Sequence, residues 1–126
     1  MVCSLVISAW VVEFYEDDNG CPVRQFLDAC EERRRAKLLA IVQLLAEQGP
    51  TLPFPYSSQV RGRIRELRTH DGNEHYRVLY FGTPERGFVL LHAFVKRTSK
   101  TPLRDIDQAE ARMLRWLDRR RQKGKR

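Results

Sequence analysis

Between residues 64 and 95 the chain gives three strand signals in succession, and this run restricts the fold more than any other feature. They are Ile64–Thr69 (IRELRT), His75–Phe81 (HYRVLYF) and Gly87–Val95 (GFVLLHAFV), rich in β-branched and aromatic residues. The links, His70-Asp71-Gly72-Asn73-Glu74 and Gly82-Thr83-Pro84-Glu85-Arg86, are short and turn-rich, so the natural topology is an antiparallel meander.

The rest of the chain supplies one more strand and three helices. Ala9–Tyr15 (AWVVEFY) reads as a first strand ended by the turn signal Glu16-Asp17-Asp18-Asn19-Gly20. Pro22 suits a first helical turn, and Val23, Phe26, Leu27 and Cys30 recur at the spacing of one buried helix face. A second helix is expected from Glu31 to Gln48, with Leu38, Ile41, Val42 and Leu45 on its stripe and Gly49-Pro50 ending it. Thr51–Ser58 carries two prolines and is expected to be irregular. A last helix, Arg104–Arg121, presents Ile106, Ala109, Met113, Trp116 and Leu117. The order β-α-α-β-β-β-α predicts one α+β domain over residues 1–122, its sheet covered on one side by the helical hairpin and open on the other. The basic end, residues 123–126, is expected to be disordered.

The 126 residues, 42% of them hydrophobic, can bury a modest single core. The cysteines Cys3, Cys21 and Cys30 form neither a C-x-x-C pair nor a Cys/His cluster, so neither a disulfide framework nor a zinc site is supported. They read as small hydrophobes in a reducing compartment. The apolar start is broken by Glu13, too short to span a membrane and without a basic leader, so a cytoplasmic protein with no membrane partner is expected. The net charge of +7 is uneven: residues 1–59 hold 5 basic and 8 acidic groups, 60–95 hold 6 and 4, and 96–126 hold 12 and 4. A basic second half attracts a polyanion, and equally keeps a surface solvated.

Strand alternation selects the candidate site. In HYRVLYF, Tyr76, Val78 and Tyr80 make the better core face, which sends His75, Arg77, Leu79 and Phe81 the other way. In IRELRT, Leu67 belongs inside, so Glu66 and Arg68 point outward with Arg77. Lys96, Arg97 and Lys100 follow the last strand. Guanidinium groups hold phosphate bidentately and can stabilise the charge of a pentacoordinate phosphorane; a lysine among cations has a lowered pKa and can carry a proton. No metal is needed for such chemistry. Simpler readings stand beside this one. Glu66 and Arg68 could form an ordinary surface ion pair, and Arg61, Arg63 and Arg65 a solubilising run at a strand edge. His92, alternating with Leu90 and Phe94, reads as a satisfied, partly buried histidine, and His75 as a lesser member of the Arg77 face. Arg33-Arg34-Arg35 read as the solvent side of the second helix, and Trp10 and Trp116 as core.

The runs LPFPYSSQVRGRIRELRTH, YRVLYF and VLLHAFVKRTSKTP, in this order, resemble the phage-derived branch of the RelE/HigB toxins, the toxic halves of type II toxin–antitoxin pairs. The resemblance extends from about residue 8 to residue 118 and implies a RelE-like fold. It implies a metal-independent, cofactor-free endoribonuclease that enters the ribosomal A site and cuts mRNA. The RNA's own 2′-OH would be the nucleophile, leaving a 2′,3′-cyclic phosphate and a 5′-OH. It also implies a helix-turn-helix antitoxin as partner. Arg68 and Arg77 match the arginines that grip the phosphate, Lys96 and Arg97 the basic positions after the last strand, and Glu66 would orient an arginine or act as base. Arg61, Arg63, Arg97, Lys100, His75 and His92 are the expected RNA contacts. The tyrosine that several RelE toxins carry after the last strand is absent from Thr101-Pro102-Leu103. Two alternatives use the same face or fold: an RNA- or ribosome-binding module that blocks translation by occupancy, and a gyrase-inhibiting relative.

Overall fold

In the computed structural model, which describes residues 4–6 and 10–124, two Gly-led turns shape the sheet. β3 (Ser57–Arg61) turns through Gly62 and Arg63 into β4 (Ile64–Asp71), which turns through Gly72 and Asn73 into β5 (Glu74–Gly82). Gly62 and Gly72 have φ of +55° and +61°. A positive φ at the first turn position matches strand twist and suits glycine, having no Cβ. β6 (Gly87–Lys96) completes an antiparallel meander of four strands. The sequence signals only three of them. β3 is hidden because Ser57, Ser58 and Gln59 lack apolar alternation, and the expected irregular segment ends at Tyr56, after a 3-10 turn at Gly49–Thr51.

The first expected strand is shorter, β2 (Val11–Phe14), and runs parallel to β6. It follows β1 (Ser4–Val6), to which it pairs antiparallel, giving the mixed order β1-β2-β6-β5-β4-β3. Cys3, Ala9, Lys125 and Arg126 lie outside the described residues. The helical hairpin is α1 (Pro22–Ala29) and α2 (Glu32–Gln48), which bury Val23 and Leu27, and Leu38, Ile41, Val42 and Leu45, on one sheet face with Leu67, Tyr76, Val78, Tyr80 and Leu90.

The other face is not open along its length. α3 (Leu103–Lys123) lays Ala109 and Met113 over Ile64, Leu79, Phe81, Val89 and Leu91, with Trp116 and Leu117 at the margin. An apolar stripe shows that a helix is buried but not against which face, so this covering is not legible in the sequence. α3 ends at Lys123, one residue into the segment expected to be disordered.

The arginine triplet of α2 is not a plain solvent face. Arg33, Arg34 and Lys37 converge on the buried Asp71 carboxylate at 2.5, 3.4 and 3.5 Å. Arg35 donates to the Leu27 and Cys30 carbonyls at 2.9 and 2.7 Å, tying α2 to the end of α1. Cys21 is buried and Cys30 half-buried, and neither forms a disulfide among the described residues. Among the described residues, no helix is long and apolar enough to cross a membrane.

Candidate functional site

Two cross-strand rows lie beyond the part of the sheet that α3 covers, and a third lies at its margin. The register aligns His70, His75 and Lys96 in the outermost row, Arg68, Arg77 and Phe94 in the next, and Glu66, Leu79 and His92 in the third. Antiparallel partners share a face, so the alternation expected for Glu66, Arg68 and Arg77 is realised. For His92 it is not. The register shifts between Leu79 and Tyr80, Leu90 stays with the hairpin core, and Leu91 and His92 both face α3. An inserted residue of this kind re-aims a side chain, and a run of large apolar residues conceals it.

Glu66 organises the centre. Only 4% exposed, its carboxylate accepts from the Thr101 hydroxyl at Oε1, 2.8 Å away, and from Arg68 Nη1 at Oε2, 3.1 Å away. Arg77 Nε lies 3.7 Å from the same Oε2. Both carboxylate oxygens are engaged, which suits a group that orients arginines better than one that takes a proton. The Thr101 bond also folds the loop after β6, with Arg97 and Lys100, back toward the sheet.

Arg77 is 4% exposed, yet its environment is poor in acceptors. Nη1 donates to the Tyr76 carbonyl at 3.0 Å, and burial with the adjacent Arg68 lowers its pKa. Among the described residues, Arg68 Nε and Arg77 Nε are buried and without a hydrogen-bond partner. Buried donors of this kind are costly and rare. Two of them lie side by side on like charges, with the single Glu66 carboxylate facing both.

A groove of ≈480 Å³ opens over this pair, walled by Arg68, His75, Arg77, Lys96 and Arg97. Lys96, half-buried, has its pKa lowered by burial first and by Arg77 next. The sequence points only to the neighbouring cations as cause, because burial at a strand end depends on the folded loop. Lys100 is exposed and lies outside the groove's lining. No three His, Cys, Asp or Glu side chains cluster to ligate a metal among the described residues.

The other expected contacts are held elsewhere. Arg61 pairs with Asp107 and Glu110 of α3 at 2.9 and 3.1 Å, and Arg63 donates to the Gly82 carbonyl at 3.1 Å. His92 bridges β6 to α3, its Nε2 2.7 Å from Asp105 and its Nδ1 3.0 Å from Arg112, and burial lowers its pKa. That is the satisfied, partly buried histidine of the simpler reading. Thr101 is the member of this cluster that sequence reasoning does not select, because its partner Glu66 lies 35 residues away.

Residues 25–114 match the family described as Phage derived protein Gp49-like (DUF891). The chain belongs to this phage-derived Gp49-like family. The Gp49-like match contains Glu66, Arg68, Arg77, Lys96 and Thr101. The chain is also similar to two curated relatives, each named Probable endoribonuclease HigB1, from Mycobacterium tuberculosis strains CDC 1551 / Oshkosh and ATCC 25618 / H37Rv. Each is 35% identical over 101 residues, covering 78% of this Gp49-like chain and 77% of the relative. The α+β fold and the HigB-like kinship expected from the residue runs are both found.

Proposed function

We propose that this chain is the toxin of a type II toxin–antitoxin pair, an endoribonuclease that cleaves mRNA on the ribosome and stops translation. The observation that carries the reading is the Arg68–Arg77 pair, two adjacent guanidiniums with buried, unpartnered Nε donors at the floor of a basic groove. The relatives' endoribonuclease name supports it.

In this reading the scissile phosphate sits on Arg68 and Arg77, and planar donors at fixed angles stabilise the extra charge of the phosphorane. The 2′-oxygen forms a bond to phosphorus as the bond to the 5′-oxygen breaks, leaving a 2′,3′-cyclic phosphate and a 5′-hydroxyl. His75, in the groove wall beside Lys96, takes the 2′-hydroxyl proton. Lys96 gives a proton to the leaving 5′-oxygen. Glu66 and Thr101 hold the arginines and the loop and do not touch the RNA. Arg97 and the exposed Lys100 contact flanking phosphates, and the basic end of α3 contributes to ribosome affinity through charge. A helix-turn-helix antitoxin is the proposed partner, and the cytoplasm the proposed compartment.

The test is message integrity during growth arrest. Induced expression predicts codon-phased cuts in translated messages. Arrest with intact messages would sink the nuclease reading in favour of an occupancy inhibitor, and DNA-damage signalling without message loss would indicate a gyrase inhibitor.

A further inference from the structure

The groove over Arg68 and Arg77 has a neighbour sharing the same two guanidiniums. This second groove, ≈540 Å³, lies between Ile41 and Leu44 of α2, Tyr56, and the β4 edge at Thr69, and shares Arg68, His75 and Arg77 with the first. It exists because β3 pairs with β4 only as far as Leu67, with one further bond from the Arg68 N–H to the Tyr56 carbonyl at 2.9 Å. Beyond that bond the outer edge of β4, opposite β5, has no strand beside it among the described residues, and side chains of α2 and the loop form the walls.

The two grooves differ in chemistry. The first is polar and basic, with Lys96, Arg97, Thr98 and Ser99, whereas the second adds the apolar wall of Ala40, Ile41, Leu44, Pro55 and the Tyr56 ring to the shared cations, with Lys37 and His70 also in its lining. Two aromatic rings stand out into solvent beside it: Tyr56 is 46% exposed and Phe54 70%. The Arg68 guanidinium lies 5.2 Å from the Phe54 ring centre. A nucleotide has the same two-part character, an anionic phosphate joined through a sugar to a flat base. Aromatic side chains beside a cationic track bind single-stranded nucleic acid by stacking.

The geometry points to a nucleobase subsite in this second groove, where the base adjoining the phosphate on Arg68 and Arg77 stacks on Tyr56, with Phe54 and the Arg68 guanidinium at the rim. The inference rests on the RNA reading above and adds where the base goes. A peptide fits less well, because the groove is continuous with two guanidiniums that share one carboxylate, Glu66, and keep buried Nε donors without a hydrogen-bond partner, an arrangement that favours an occupant carrying an anion.

The test is a double-mutant cycle on the full chain at low salt, using a 2′-O-methyl trinucleotide, which lacks the nucleophilic hydroxyl, and its three single-abasic counterparts. Removing the base at one position is expected to weaken binding to the unsubstituted protein roughly tenfold or more. The same removal should cost less than about twofold in Tyr56→Ala. Tyr56→Phe, which keeps the ring, should behave as the unsubstituted protein. Equal costs in all three proteins overturn the subsite, and equal costs with loss of antitoxin binding by Tyr56→Ala overturn it in favour of a protein occupant. Arg77→Met should weaken all four oligonucleotides alike. If it weakens none, the phosphate reading fails while the base cycle still decides the subsite; if no oligonucleotide binds the unsubstituted protein, both fail.

Discussion

The Thr101 hydroxyl donates a 2.8 Å hydrogen bond to Glu66 Oε1 across 35 residues of chain, tying the loop after β6 to the carboxylate that faces Arg68 and Arg77. One buried carboxylate thus sets the position of two arginines and of the loop that carries Arg97 and Lys100.

Thr101→Val keeps the shape and removes the bond. Cleavage should fall roughly tenfold, with a modest loss of stability from the unmet Glu66 oxygen. Thr101→Ser should restore most of the rate. Single-turnover kinetics beside thermal melts decide this; an unchanged rate in Thr101→Val would remove the loop's dependence on Glu66.

Arg77 is held where function wants it and stability does not. Its buried guanidinium lies beside another cation, with its pKa lowered by burial and by Arg68. Arg77→Met should therefore leave Tm unchanged or raised, since apolar replacement of an ill-compensated buried charge is often stabilising. Cleavage should drop about 10²–10³-fold, the effect of losing a donor to developing charge. A variant that melts well below the unsubstituted protein would show that Arg77 is a structural ion-pair member.

How much of this is legible in the sequence differs residue by residue. Arg77 and Arg68 can be placed because period-two alternation needs only neighbouring residues, and Tyr76, Val78 and Leu67 declare the core face by their chemistry. The inserted residue at Leu91 cannot be read, because both faces of β6 are apolar there and either register satisfies the pattern. The attachments of Arg33, Arg61 and His92 depend on partners 38, 46 and 13 residues away, which only the assembled fold brings near. A local pattern leaves Arg33 and Arg61 looking like free charges and cannot name the partners that satisfy His92.

Lys96 gives a pH dependence of known sign. Burial and Arg77 hold its ammonium below the ordinary 10.5. A proton donor acts only while charged, so cleavage should decline as pH rises through that lowered value. Lys96→Arg stays charged and donates poorly, so it should be slower by about 10²-fold or more and lose the declining limb. Persistence of the limb in Lys96→Arg would assign it to another group.

The Asp71 clamp predicts acid sensitivity. Hydrogen bonding by Arg33 holds its carboxyl below the usual 3.8. A folded-state pKa below the unfolded one contributes stability that is fully present above about pH 4 and is lost as pH falls through the folded value. Asp71→Asn should melt several degrees lower at neutral pH, and the two Tm curves should converge in acid. Parallel curves would show that the clamp is not the titrating element.

The most direct test of the central claim, that paired arginines hold an RNA phosphate for attack by its own 2′-hydroxyl, is single-turnover cleavage of ribosome-bound message carrying one 2′-deoxynucleotide at the cut position. The account predicts that cleavage there stops while binding persists, and that the all-RNA message yields a cyclic phosphate and a 5′-hydroxyl. Cutting of the deoxy-substituted message at the full rate would contradict it.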